Sequence, residues 1–131
     1  MARLLFDRRA RLVCAGLWAI AWFGVAALLL LPLGMPTPGG SDLFGHFLLF
    51  ATMAFAAVGF SRDPRQLAWL TLVTIVLGAA LEYAQGFLSY RTSEIADAVA
   101  NAMGGLAGYG AALLVLYLVI RPVEPRLRAA P

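Results

Sequence analysis

The side chains that could do chemistry in this chain lie in three short pairs and one single residue. They are Asp42 with His46, Glu82 with Gln85, Asp97 with Asn101, and Arg91. The members of each pair are three or four residues apart, so each pair would share one face of a helix. Carboxylates, an imidazole and a guanidinium can exchange protons, hold a cation or clamp an anionic group. We call these seven residues the polar rim.

The residue types narrow the kinds of site that the polar rim could form. The chain has one histidine, His46, and one cysteine, Cys14, and it lacks the His-x-x-x-His and His-Glu-x-x-His patterns of zinc sites. Oxygen ligands from Asp42, Glu82 and Asp97 would suit calcium or magnesium better, but their spacing does not require an ion. We therefore predict no metal and no cofactor.

The sequence assigns no catalytic residue. It contains no nucleophile elbow, P-loop or dinucleotide-binding fingerprint. Catalysis would need His46 as a general base, a carboxylate that orients it and Arg91 as an anion clamp. Two other interpretations stay open: an ion-paired staple of Glu82, Arg91 and Asp97 that fixes helix register, or a pocket for an extracytoplasmic headgroup or peptide.

The elements that position these residues must be membrane helices. The chain is 62% hydrophobic and 13% charged over 131 residues, which is far from the composition of a soluble domain. Its ten basic residues are all arginines and give a net charge of +3, without the basic clusters of a nucleic-acid-binding face. The composition thus predicts a membrane protein that binds no nucleic acid.

About 20 apolar residues are needed to cross a bilayer. This length predicts spans at residues 12–31, 43–60, 66–86 and 95–120, joined by short Pro/Gly-rich or charged connectors. The first apolar run lacks a clear cleavage site, so we interpret it as an uncleaved span. We predict one all-α domain over residues 1–131, a bundle of four transmembrane helices.

The arginines predict the orientation of this bundle. Nine of the ten lie at the ends of the spans on one side, and only Arg91 lies on the other. The positive-inside rule then places both termini in the cytoplasm. All three polar pairs would meet at the extracytoplasmic face, beneath Arg91.

The fourth span predicts which of its faces points inward. Asp97, Asn101, Gly104 and Gly108 fall on one stripe, and the two glycines form a small-x-x-x-small pattern. Small residues let the backbones of membrane helices approach closely. We therefore expect Gly104 and Gly108 to pack against another helix, with Asp97 and Asn101 facing the bundle.

The combined pattern resembles a known family. Asp42-x-x-x-His46-Phe47 is followed by Glu82-x-x-Gln85, by Arg91, and by Asp97-x-x-x-Asn101-x-x-Gly104-x-x-x-Gly108. Residues 42–108 look like the VanZ-like family of small bacterial integral membrane proteins, although Leu43 stands where that family often has a basic residue. The resemblance implies a multi-pass protein of the bacterial cytoplasmic membrane, in a family whose founding member is linked to resistance to the glycopeptide teicoplanin.

Together, the residues and the resemblance predict a cell-envelope protein with an outward-facing polar site. Its partners would be membrane lipid and a lipid-linked or wall-derived molecule, and it would influence teicoplanin susceptibility. One alternative is a membrane enzyme that acts on a lipid or polyprenyl headgroup. Another is a helper subunit whose polar rim docks a larger membrane protein.

Overall fold

A computed structural model describes residues 7–31, 41–89 and 94–120, without the side chains of residues 41, 42, 119 and 120. It contains four α-helices and, within these ranges, no strand. The helices are α1 (Arg8–Leu30), α2 (Ser41–Ala56), α3 (Pro64–Gln85) and α4 (Ile95–Ile120), and a 3₁₀ turn (Ala57–Gly59) follows α2. The chain is therefore all-α over the part that the structure describes.

Two helices begin earlier than the predicted spans because a side chain caps each N-terminus. Asp7 accepts a hydrogen bond from the backbone N–H of Ala10 at 2.7 Å, so α1 starts at Arg8 rather than at residue 12. Asp63 accepts one from the N–H of Gln66 at 2.8 Å and precedes Pro64, the first residue of α3. These first turns add arginines to the helices beyond their apolar stretches.

Three of the four helices are long and apolar enough to cross a membrane, namely α1, α3 and α4. With 16 residues, α2 is about 24 Å long, which is less than the hydrocarbon thickness of about 30 Å. The 3₁₀ turn of three residues adds about 6 Å. The second predicted span, 43–60, is therefore a short helix with a tighter final turn.

Contacts between the helices show that they alternate in direction. Trp18 of α1 donates a hydrogen bond from Nε1 to the carbonyl of Met53 in α2 at 2.8 Å. One turn later, the ring of Trp22 lies against Phe50, three residues earlier in α2. Thus α1 and α2 are antiparallel.

The helices α2 and α4 are parallel, and their backbones touch at two glycines. A Cβ atom added to Gly104 would overlap the carbonyl oxygen of Phe47, and one added to Gly108 would overlap that of Ala51. Such contacts allow close packing and Cα–H···O interactions between helices. In contrast, Gly105 faces Ile75 of α3 while the start of α4 bonds to the end of α3, so α3 and α4 are antiparallel.

The end of α1, the start of α2, the end of α3 and the start of α4 consequently meet at one end of the bundle, which we call the polar end. Beneath it lies an apolar core of Val25, Leu29, Phe50 and Met53. A second core, of Ala57, Leu67, Ala112 and Leu116, fills the opposite end. Large apolar side chains such as Phe23 and Trp69 are exposed on the outside, as expected of a surface that faces lipid.

Candidate functional site

Five residues of the polar rim have described side chains, and all five are buried at the polar end. Their exposed fractions are 3% for His46, 4% for Glu82, 2% for Gln85, 7% for Asp97 and 1% for Asn101. Buried polar groups must find partners or bind something, because desolvation is costly. The polar end is thus a buried site rather than a solvated helix rim.

Three ionisable groups of this site come together from three different helices. His46 of α2, Glu82 of α3 and Asp97 of α4 each offer a nitrogen or carboxylate oxygen, and these atoms lie within 4.8 Å of one another. We call this set the His-carboxylate cluster. Two carboxylates held this close repel each other unless a proton or a cation offsets their charge. The cluster can therefore hold a proton or a positive ion.

The side chain of Asn101 positions the imidazole of His46. The Nδ1 atom of His46 lies 2.9 Å from Oδ1 of Asn101. An amide oxygen accepts hydrogen bonds, so this contact fits the tautomer in which Nδ1 carries the proton. The amide nitrogen of Asn101 is buried and has no hydrogen-bond partner among the residues that the structure describes. This nitrogen is a donor that a water or an anionic ligand could use.

The backbone at the start of α4 positions the carboxylate of Glu82. The N–H of Glu94 donates to Oε1 of Glu82 at 2.9 Å, which ties the end of α3 to the entrance of α4. The predicted polar rim does not include Glu94, because this residue contributes its backbone N–H, and the residue type does not indicate such a contribution. The signal that could have identified it is its position directly before Ile95, where helix N–H groups lack intrahelical partners.

Gln85 has a different role from its helical neighbour Glu82. Its Nε2 atom donates to the carbonyl of Leu29 at 2.7 Å. That carbonyl lies in the last turn of α1, where helix geometry supplies no N–H partner. Gln85 therefore links α3 to α1, whereas Glu82 faces α4.

A groove between α1 and α2 leads to His46 from the lipid-facing side. Its volume is about 450 Å³, which is within the range of small-molecule sites. It is lined by Leu28, Leu29, Gly45, His46, Leu48, Leu49 and Thr52. Leu28 and Leu48 are about half exposed, at 51% and 46%. An apolar chain could therefore enter beside an imidazole without crossing a polar barrier.

Two members of the predicted rim cannot be placed. Arg91 lies outside the described residues, and Asp42 belongs to the first turn of α2 but its side chain is not described. Their participation in the site stays a prediction. The structure brings together His46, Glu82, Asp97 and Asn101, and it turns Gln85 towards α1.

The fold and the buried cluster define a class: an apolar helical protein with an ionisable site at one end of its bundle. The family model VanZ/LLP1 matches residues 8–118, and the chain belongs to this family. The match runs from the first residue of α1 almost to the end of α4 and so includes all four helices. This is a membrane protein of the VanZ type. No curated protein and no solved structure matches the chain significantly.

Proposed function

We propose that the protein crosses the bacterial cytoplasmic membrane four times, with both termini in the cytoplasm and the polar end outside. The alternating helix directions support this arrangement. The five arginines of the described ranges also support it, since Arg8, Arg9, Arg11, Arg62 and Arg65 all lie at the end opposite the His-carboxylate cluster. Cytoplasmic loops carry such an excess of arginine. The short α2 would complete its crossing through the 3₁₀ turn.

We further propose that the polar end binds the headgroup of a lipid-linked or wall-derived envelope molecule, and that this binding influences teicoplanin susceptibility. The groove that reaches His46 between α1 and α2 carries this proposal. A molecule with an apolar chain and a polar head would match it, because leucines line the groove and His46 lies in its wall. Binding there would change how much of the molecule is accessible at the membrane surface.

Filling the groove tests this function. A Cβ atom on Gly45 has no neighbour within 4 Å, so Gly45→Leu can enter the groove without displacing backbone. The matched control is Gly110→Leu, which is equally unobstructed but lies on α4. We expect Gly45→Leu to lose bound lipid in native mass spectrometry and to lose any effect on teicoplanin susceptibility, while Gly110→Leu keeps both. Equal lipid retention by the two variants would contradict the proposal.

Substitution of Arg91 distinguishes a functional site from a structural staple. If the site is functional, Arg91→Ala abolishes the susceptibility effect while the protein still accumulates in the membrane. If the polar rim is only a staple, Arg91→Ala lowers accumulation of the protein. The additional change Glu82→Gln then restores part of it, because it removes the negative charge that loses its partner when Arg91 is replaced. Membrane levels and teicoplanin susceptibility are compared in a host where the drug reaches the membrane. If Arg91→Ala matches wild type in both measurements, Arg91 is not part of the site.

A second candidate, a membrane enzyme acting on a lipid or polyprenyl headgroup, is favoured by one observation. Oδ1 of Asn101 lies 2.9 Å from Nδ1 of His46, and in the tautomer that donates to Asn101 the Nε2 atom would be the general base. Incubation of the purified protein with a polyprenyl diphosphate or a phospholipid should then release a headgroup product. His46→Gln should abolish the release, and Gln66→Leu, at the opposite end, should not.

A further inference from the structure

We propose that His46, Glu82 and Asp97 form a binding site for one divalent transition-metal ion, such as Zn²⁺, Mn²⁺ or Fe²⁺. The sequence alone predicts no metal, because the chain offers a single histidine and the oxygen set of Asp42, Glu82 and Asp97 does not require one. Packing of α2 against α4 changes the donor set, since it brings an imidazole beside two carboxylates from α3 and α4.

The distances suit an ion of this size. The three donor atoms lie within 4.8 Å of one another and all three residues are buried. Bonds of about 2.0–2.2 Å to nitrogen and carboxylate oxygen require donors roughly 3–4 Å apart. Donors that lie up to 4.8 Å apart need a closure of up to about 1–2 Å to reach this spacing, which side-chain rotations supply.

Hydrogen bonds outside the cluster already orient two of the three donors. Oδ1 of Asn101 lies 2.9 Å from Nδ1 of His46, and in the tautomer that donates to Asn101 the coordinating nitrogen would be Nε2. The N–H of Glu94 holds Oε1 of Glu82. Histidine and carboxylate ligands of metals are oriented in this manner by partners behind them.

The donor types select the class of metal. Calcium and magnesium take oxygen ligands, six or more for calcium and often several waters for magnesium. One imidazole nitrogen with two carboxylate oxygens suits first-row transition ions instead.

Three protein ligands leave at least one coordination position for another group. The amide nitrogen of Asn101 borders the cluster and is buried without a partner in the described ranges. A phosphate or carboxylate oxygen could bind the ion and accept from this nitrogen. This role in holding a headgroup rests on the proposed function, whereas the metal site itself does not.

Metal analysis of the full chain tests the site. The protein would carry no polyhistidine tag, be produced in medium with equal concentrations of Mn²⁺, Fe²⁺, Co²⁺, Ni²⁺ and Zn²⁺, and be desalted in detergent before elemental analysis. We expect about one ion per chain in wild type, and at least about tenfold less in His46→Gln, Glu82→Gln and Asp97→Asn. The control Glu94→Gln changes an exposed carboxylate but keeps the backbone donor to Glu82, so it should retain the ion.

Two outcomes of the binding measurements would overturn the site. One is a wild-type protein that holds no ion and whose thermal midpoint does not rise on titration with Zn²⁺ or Mn²⁺. The other is full occupancy in all three ligand variants. Because a variant could fail to fold, pulsed electron paramagnetic resonance of the Mn²⁺-loaded wild type provides a check that needs no substitution: coupling to ¹⁴N is expected from His46, and its absence would contradict the assignment.

The lipid measurements on Gly45→Leu separate this inference from the proposed function. Metal analysis decides the ion site whether or not lipid binds, and lipid retention decides the groove whether or not an ion is present. If the ion bridges the headgroup, removal of metal with a chelator should release the lipid from wild type. Lipid that stays bound to metal-free protein would overturn the bridging role.

Discussion

At the scale of single residues, Glu82 and Gln85 illustrate how two neighbours on one helix face acquire different partners. Both are buried near the end of α3, one turn apart. Glu82 accepts a hydrogen bond from a backbone N–H at the start of α4, while Gln85 donates one to a carbonyl in the last turn of α1. Helical spacing places both on one side of α3, but the side-chain rotamers divide them between two neighbouring helices.

The bond from Gln85 to Leu29 gives a prediction at this scale. Gln85→Leu should reduce the free energy of unfolding by about 0.6–1.7 kcal/mol, the range of hydrogen bonds between membrane helices. The loss arises because the carbonyl of Leu29 is left without its donor. Unfolding by SDS in mixed micelles would measure it. Gln66→Leu removes a side-chain acceptor at the opposite end, where water can replace it, and should change stability by less than about 0.5 kcal/mol.

Asn101 provides a second residue-scale prediction, which concerns affinity rather than folding. Asn101→Ala removes the acceptor of His46 Nδ1–H and leaves all three proposed metal ligands in place. We expect the affinity for Zn²⁺ to fall about 10–100-fold, as it does when a supporting hydrogen bond behind a ligand is removed. Competition with a chromophoric chelator would measure the change. An unchanged affinity would show that Asn101 does not orient the imidazole.

At the scale of elements, the contact between α2 and α4 determines the site. Gly104 and Gly108 let the two backbones touch at Phe47 and Ala51. The same approach places His46 beside Asn101, one turn nearer the N-terminus of α4 than Gly104. A larger side chain at either glycine would separate the helices. The separation would also draw the imidazole away from the carboxylates.

The same substitution at two glycines of α4 tests this contact. Gly108→Ala should lower the free energy of unfolding by about 1–3 kcal/mol, because the new methyl group meets a backbone carbonyl that cannot rotate away. Gly110→Ala meets nothing within 4 Å and should be neutral or stabilising by up to about 1 kcal/mol. Thermal unfolding in detergent would compare them. Equal effects would mean that the α2–α4 contact does not govern stability.

Gly78 of α3 supplies an intermediate case. An added Cβ would lie 2.5 Å from Cε1 of Phe50, the far end of an aromatic ring rather than backbone. Because the ring can shift, Gly78→Ala should cost less than Gly108→Ala. The expected order of thermal midpoints is therefore Gly110→Ala highest, Gly78→Ala next and Gly108→Ala lowest.

At the scale of the whole molecule, the length of α2 determines how the chain can cross a membrane. If α2 and its 3₁₀ turn cross, residues 61–63 and residue 131 are cytoplasmic. If α2 instead enters the membrane and returns to the side from which it came, the α2–α3 connection and the C-terminus lie outside. The five arginines at the end opposite the cluster favour the complete crossing.

Sidedness can be measured at three positions. In a Cys14→Ser background, Arg62→Cys should react with a membrane-impermeant maleimide only after the cells are lysed. Reporter fusions should be active in the cytoplasm at residue 131 and outside near residue 38. Labelling of Arg62→Cys in intact cells would contradict the proposed cytoplasmic position of the α2–α3 connection and, with it, the proposed orientation of the bundle.

Composition and the lengths of the apolar runs were enough to predict the class of protein and the positions of its helices. Composition identified a membrane protein, because an apolar content this high cannot be covered by polar surface in water. Apolar run length located four helices, three of which are long and apolar enough to cross a bilayer. The starts of α1 and α3 differed by a few residues, since Asp7 and Asp63 cap them beyond the apolar stretches.

Which polar groups meet could not be predicted without the packing of the helices. Periodicity places His46, Glu82 and Asp97 on helix faces, but it does not say which neighbouring helix each face contacts or how closely. The close approach of α2 and α4 at Gly104 and Gly108, and the rotamers that turn Glu82 to α4 and Gln85 to α1, depend on packing among all the helices. Two carboxylates and an imidazole within 4.8 Å are therefore a property of the assembled bundle, because that distance is set by atoms far apart in the chain.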